Sequence, residues 1–113
     1  MMMIQSEEEY YNLIEREGSH ILLLGEIGEQ WTTEALAIFE KSGIKIHFFP
    51  WDKIEDLRLN LEIVTYPVVQ LWTNGAMKRE VIGYQFELLK NLANRYFQTH
   101  QGKNYEQSEF RTG

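Results

Sequence analysis

A chain of 113 residues with 43% apolar and 13% aromatic content is long enough for one hydrophobic core and too short for two ordinary domains. Its 17 acidic against 11 basic residues leave a net charge of −6, which argues against a surface that tracks nucleic-acid phosphates and favours basic or peptide-like partners. With no cysteine in the sequence, the chain has neither a disulfide framework nor a thiolate of its own.

No run approaches the ~20 consecutive apolar residues of a membrane span. The N-terminus has no basic segment followed by an apolar one and a small-residue cleavage site, so the expectation is a cytoplasmic protein with no membrane partner. Met1-Met2-Met3 reads as start-site ambiguity. Ser6 and Glu9 form a capping box, and Glu7 to Glu17 reads as a helix with Tyr10, Leu13 and Ile14 inward, closed by Gly18. The acids on its outer face suit a helix N-terminus. Ile21 to Leu24 is a continuous apolar strand of the kind buried on both faces. Thr32 or Thr33 is the expected cap of a helix running to about Lys41, with Leu36, Ile38 and Phe39 inward and Gly43 beyond its end.

Ile44 to Phe49 alternates as a strand that Pro50 should end. Trp51 then reads as a hydrophobic staple, with an exposed aromatic anchor as the alternative, before the capping box Asp52-Lys53-Ile54-Glu55, which opens a helix with Ile54, Leu57 and Leu61 on one face. Ile63 to Trp72 contains Tyr66-Pro67, although proline has no N–H to give to a sheet ladder. A proline at the very start of a strand, with its peptide bond cis, resolves the conflict. Val68 to Trp72 and Met77 to Ile82 pair around Thr73-Asn74-Gly75-Ala76, where Asn-Gly suits a tight hairpin. Residues 86 to 97 form a last helix with Leu88, Leu89, Leu92 and Tyr96 inward. The single domain therefore covers 1–97, and the polar stretch 98–113 reads as a flexible tail in which Phe110 and Arg111 are the only docking-motif candidates.

The spacing of this second half is similar to that of the thioredoxin-like superfamily. Asp52 precedes Pro67 by 15 positions, Pro67 precedes Gly75 by 8, and Gly75 precedes Gly83 by 8. The same intervals separate the helix-capping Asp, the cis-Pro, the hairpin Gly and the final-strand Gly of bacterial thioredoxins, and the likeness runs from about Ile21 to Phe97. The resemblance implies an α/β fold: a single central mixed sheet of about four strands, flanked by helices, after an N-terminal helix. It departs from the family where redox chemistry resides. The strand Ile21–Leu24 leads into Gly25-Glu26-Ile27-Gly28-Glu29-Gln30-Trp31 where thioredoxins carry Trp-Cys-Gly-Pro-Cys, and the family's buried strand Asp aligns with Leu22. Dithiol exchange needs an attacking thiolate and a resolving sulfur, so a non-enzyme without cofactor is expected.

In such folds the residue before the cis-Pro pairs through its backbone with an extended peptide or glutathione, and the loop opening the first long helix forms the opposite wall. The resemblance thus implies a peptide groove between Thr65, Tyr66 and Pro67 on one side and Ile27, Gly28, Glu29, Gln30 and Trp31 on the other, with Trp31 either a binding anchor or a lid packed over the proline. The residues support no other chemistry. His20, His47 and His100 lack metal-ligand spacing, the Glu26 and Glu29 carboxylates lack an oriented partner for acid–base work, and Gly25-x-x-Gly28 is too short for a phosphate loop. Cysteine-free members of the superfamily include substrate-binding domains of protein disulfide isomerases and accessory proteins of hydrogenase maturation. The reading is a protein-binding adaptor, chaperone or assembly factor. The alternatives are a structural or regulatory subunit that forms homo-oligomers and a glutathione-type binding or sensing protein.

Overall fold

The structure, a computed structural model, describes the backbone of residues 2–3 and 6–106 and the side chains of residues 6–97. In chain order the elements are β1 (Met2–Met3), α1 (Glu7–Ile14), β2 (Ser19–Gly25), α2 (Gln30–Lys41), β3 (His47–Pro50), a 3-10 turn (Trp51–Lys53), α3 (Glu55–Asn60), β4 (Val68–Thr73), β5 (Ala76–Ile82) and α4 (Phe86–Glu106). The strands form one sheet in the order β1-β3-β2-β4-β5. β1 and β2 run parallel to β3, whereas β4 is antiparallel to both β2 and β5. The short Met2–Met3 pairing adds an edge that the sequence did not announce.

Alternation along the strands sends side chains to two cores. Ile21 and Leu23 of β2, Phe48 of β3, and Val69 and Leu71 of β4 pack under Ala35 and Phe39 of α2 and Leu89, Leu92, Ala93 and Tyr96 of α4. On the opposite face Leu22, Leu24, Phe49 and Val68 meet Tyr10 and Leu13 of α1 and Ile54 and Leu57 around α3. Each fully buried Leu, Ile or Phe contributes about 1.5–3 kcal/mol through water released from apolar surface, so the sheet is held from both sides. Buried Gln70 has its polar atoms satisfied: Oε1 accepts from Tyr10 Oη at 2.8 Å and Trp72 Nε1 at 2.9 Å, and Nε2 donates to Glu80 Oε2 at 2.9 Å. Burial pushes the Tyr10 hydroxyl up to about 12, against the opposing pull of the Gln70 hydrogen bond, so it stays a neutral donor.

Local chemistry explains most element ends. Ser6 caps α1 by accepting from Glu9 N at 3.2 Å, and its hydroxyl donates to Glu9 Oε1 at 3.3 Å. The helix stops at Ile14, short of the expected Glu17, because Glu15 turns its N–H back to Leu13 O. Residues 44–46 leave the sheet: Ile44 N donates to Phe39 O at 3.0 Å, so the C-terminus of α2 claims the backbone that the alternation had given to a strand. The capping box expected at Asp52 does not form. Residues 51–53 close a 3-10 turn, and the cap position of α3 is Ile54, which has no side-chain acceptor. Glu7 of α1 fills that role from a distance, its Oε2 accepting from Leu57 N at 2.8 Å. Leu61, expected inward, is 40% exposed just past the end of α3.

Asn74 and Gly75 hold φ of 50° and 84°, which closes the β4–β5 hairpin as Asn-Gly does in tight turns. The tip is latched to the start of β2: Gly18 N donates to Asn74 Oδ1 at 2.7 Å, and Asn74 N donates to Gly18 O at 3.0 Å. α4 continues to Glu106, beyond the expected end at 97 and through Gly102, since a single glycine weakens a helix by about 1 kcal/mol without ending it. The remainder of the expected tail, with Phe110 and Arg111, lies outside the described residues. Among the described residues no helix is long and apolar enough to cross a membrane.

Candidate functional site

The site is built where β2 ends against the start of β4. β2 stops at Gly25, which pairs with Pro50 of β3. A Cβ on Gly25 would lie 2.6 Å from the Thr32 hydroxyl, so the strand can approach α2 this closely only as glycine. The chain then turns through Gly28, at φ 85°, into α2. The cap of α2 is Glu29, not Thr32 or Thr33: its carboxylate accepts from Trp31 N at 3.0 Å, Thr32 N at 2.8 Å and Thr32 Oγ1 at 2.9 Å. Desolvation raises the Glu29 pKa, but these three hydrogen bonds outweigh it and hold the carboxyl below its ordinary value. Thr32 is therefore the buried hydroxyl partner of the cap.

The opposite wall is the irregular segment before β4. The Tyr66–Pro67 peptide bond is cis. Pro67 is buried, and its carbonyl accepts from Gly83 N at 2.7 Å, which ties the start of β4 to the end of β5. The Thr65 methyl lies 3.7 Å from where a Cβ on Gly83 would stand. Among the described residues no backbone hydrogen bond uses the N–H or C=O of Thr65 or Tyr66. The Tyr66 ring meets Trp51 edge-on at 4.5 Å between centroids, and the Arg58 guanidinium lies 4.5 Å from the Trp51 ring centre. The Glu26 carboxylate beside the Tyr66 hydroxyl raises its pKa, with desolvation and Glu29 adding to the shift.

Of the sequence-expected residues, Tyr66 is thus brought to the 26–31 loop through Glu26, while Pro67 is buried beneath the surface. Trp31 stacks on Tyr84, with centroids 5.1 Å apart and planes inclined by 29°, and is 45% exposed. Ile27 is 60% exposed. A cleft of about 420 Å³ is lined by Glu26, Ile27, Trp51, Asp52 and Arg58, so that of the expected groove residues only Ile27 lines it, while Thr65 borders a separate cavity with Val64, Glu80 and Ile82. Trp51 Nε1 and Arg58 Nε are buried and have no hydrogen-bond partner. Arg58 and Tyr84 were missed in the sequence. Tyr84 had a signal, since it follows the glycine that the resemblance sets beside the proline, whereas Arg58 reaches Trp51 only because a 3-10 turn separates them.

Away from this cleft, His20 and His47 stand edge-to-face at 5.8 Å on neighbouring strands. Desolvation, then the fields of His20, Arg16 and Lys45, lowers His47 to about 4. Among the described residues no group of three or more His, Cys, Asp or Glu is arranged to hold a metal ion.

Neither a protein-family model nor a curated protein sequence matches the chain. Solved structures do match in fold. Thioredoxin from Plasmodium falciparum superposes with a TM-score of 0.71 at 15% identity, covering 85% of this chain and 99% of its own. Thioredoxin from Trypanosoma brucei brucei gives 0.71 at 15% identity, with 84% and 88% covered. Mitochondrial thioredoxin 3 of Saccharomyces cerevisiae gives 0.70 at 14% identity, with 84% and 94% covered. The chain has a thioredoxin-like fold, and it has no cysteine.

Proposed function

We propose that this cysteine-free thioredoxin-like chain is a non-catalytic protein-binding module, an adaptor, chaperone or assembly factor, that takes an extended segment of a partner protein into the groove beside Pro67. The observation that carries the reading is the backbone of Thr65 and Tyr66, whose N–H and C=O groups enter no backbone hydrogen bond among the described residues. Backbone polar groups are obligate hydrogen-bonding groups, and an extended peptide laid alongside satisfies them in the manner of an added strand. Trp31 favours an open groove, because its ring is stacked on Tyr84 and its exposed remainder forms a rim. Exposed aromatic side chains of this kind are frequent anchors at protein interfaces. The thioredoxin-like fold supplies the frame for such recognition.

The test is affinity capture from a lysate of the source cells with wild type and with a Trp31→Ala, Tyr66→Asp double variant whose fold is checked by circular dichroism, followed by amide-shift mapping with the captured partner. Loss of the partner with the variant, and shifts centred on Thr65, Tyr66 and residues 27–31, are the expected results. A partner retained equally by both proteins, with shifts on α1 or a sheet edge, would overturn the groove and favour a structural subunit.

A further inference from the structure

We infer that the groove selects a segment carrying a lysine or arginine, whose cationic head is received by Glu26 and Asp52 at the aromatic corner made by Trp51 and Tyr66; the inference rests on the groove reading above. The cleft at that corner has the form such a side chain needs. Its apolar wall is Ile27, 60% exposed, with the half-buried ring of Trp51, and its rim carries the carboxylates of Glu26 and Asp52. Long cationic side chains bury an aliphatic stem against such surface while the head stays at the polar edge. Glu29 is not available for this role, since its oxygens are held by the start of α2. Glu26 and Asp52 both line the cleft from exposed positions, Glu26 with the Tyr66 hydroxyl beside it.

Charge decides the sign of the occupant. Two carboxylates line the cleft against one guanidinium, and that guanidinium is already placed over the Trp51 ring. The Arg58–Trp51 contact is itself a cation seated on this aromatic surface. An acidic or apolar side chain would leave Glu26 and Asp52 facing a like charge or losing water without return. The net charge of −6 over the whole chain draws the same class of partner from a distance.

The experiment uses isotope-labelled full-length protein and short extended peptide libraries with randomised flanks, identical except for a central Lys, Arg, norleucine or Glu. Titrations are read from the amide shifts of Thr65, Tyr66, Glu26 and Ile27. The expected result is that Lys and Arg libraries bind roughly three- to tenfold tighter than norleucine, the gain of one or two partly exposed ion pairs, with Glu weakest. That preference should collapse in Glu26→Gln/Asp52→Asn and in high salt, so that the Lys, Arg and norleucine libraries come to bind alike. Equal binding of Lys and norleucine libraries at the same amides would overturn the cation preference and leave the groove standing. Shifts confined to other surfaces, or no shifts with any library, would overturn both.

Discussion

Replacing Gly25 by alanine asks whether contact with Thr32 sets the exit of β2 into the groove loop. The new methyl would stand 2.6 Å from Thr32 Oγ1, 2.7 Å from its Cγ2 and 3.2 Å from its Cβ, inside the 3.0 Å that Cβ atoms keep from at least two of these atoms. Thr32 cannot easily give way: it is fully buried, and its hydroxyl donates to Glu29 Oε1 at 2.9 Å. Forcing a methyl into a packed interior costs about 1–3 kcal/mol. For a domain near this size, 2 kcal/mol lowers Tm by roughly 10 °C. Urea unfolding followed by tryptophan fluorescence should show a lower midpoint at unchanged slope. In a Thr32→Ala background the two closest atoms are gone and only the Cβ at 3.2 Å remains, so Gly25→Ala should be close to neutral, the residual contact offset by about 0.4–1 kcal/mol through its effect on the unfolded chain. The coupling between the two substitutions is then of order 1–3 kcal/mol. An equal cost for Gly25→Ala in both backgrounds would refute the contact as the cause.

Three further outcomes follow from the hydrogen bonds and charges. Glu29→Ala should cost about 0.5–2 kcal/mol by uncapping α2; because the folded carboxyl titrates below its unfolded value, the wild-type advantage is full above the unfolded pKa and fades as pH falls through the folded one, which paired urea melts of wild type and Glu29→Gln would trace. His47 is held near 4 against an ordinary 6.5, so the native state loses stability as pH falls from 6.5 towards 4. His47→Gln should flatten that limb by on the order of 1 kcal/mol after solvent screening, and a limb of unchanged steepness would show that other groups cause it. Gln70→Leu should cost about 1–3 kcal/mol, more than Tyr10→Phe at about 1 kcal/mol, since it strands the Tyr10 hydroxyl and the Trp72 N–H together; calorimetric Tm values in the reverse order would contradict the network.

What could be read from the sequence was what is decided within a few residues or by strand periodicity. Ser6 and Glu9 cap the helix they adjoin, Asn74-Gly75 turns the chain, and the apolar run at Ile21–Leu24 sits buried in the middle of the sheet. The errors came where a distant group outcompeted a local one. Asp52 and Glu55 have capping-box spacing, yet the 3-10 turn at 51–53 removes Asp52 from the cap position and Glu7 supplies the acceptor. Ile44 and Ile46 alternate as in a strand, but the end of α2 holds Ile44 first. The cap of α2 was sought among hydroxyls, whereas a carboxylate three residues before Thr32 serves both its N–H and its Oγ1. The turn through Gly28 and the cis bond before Pro67 belong to segments that the resemblance singled out. Their aromatic pairings, Trp31 with Tyr84 and Trp51 with Tyr66, depend on chain crossings that no local pattern encodes.

The long-range cap from Glu7 ties the first helix to the segment that carries Trp51 and Arg58. α3 has six residues, too few to persist in water by its own hydrogen bonds, and it carries Arg58 over Trp51. Its first turn depends on a carboxylate fifty positions earlier in the chain. Loss of the Glu7 carboxylate would therefore be felt as a looser aromatic corner while the sheet stayed intact, and whatever engages the acidic end of α1 has a short mechanical route to the segment that carries Trp51 and Arg58.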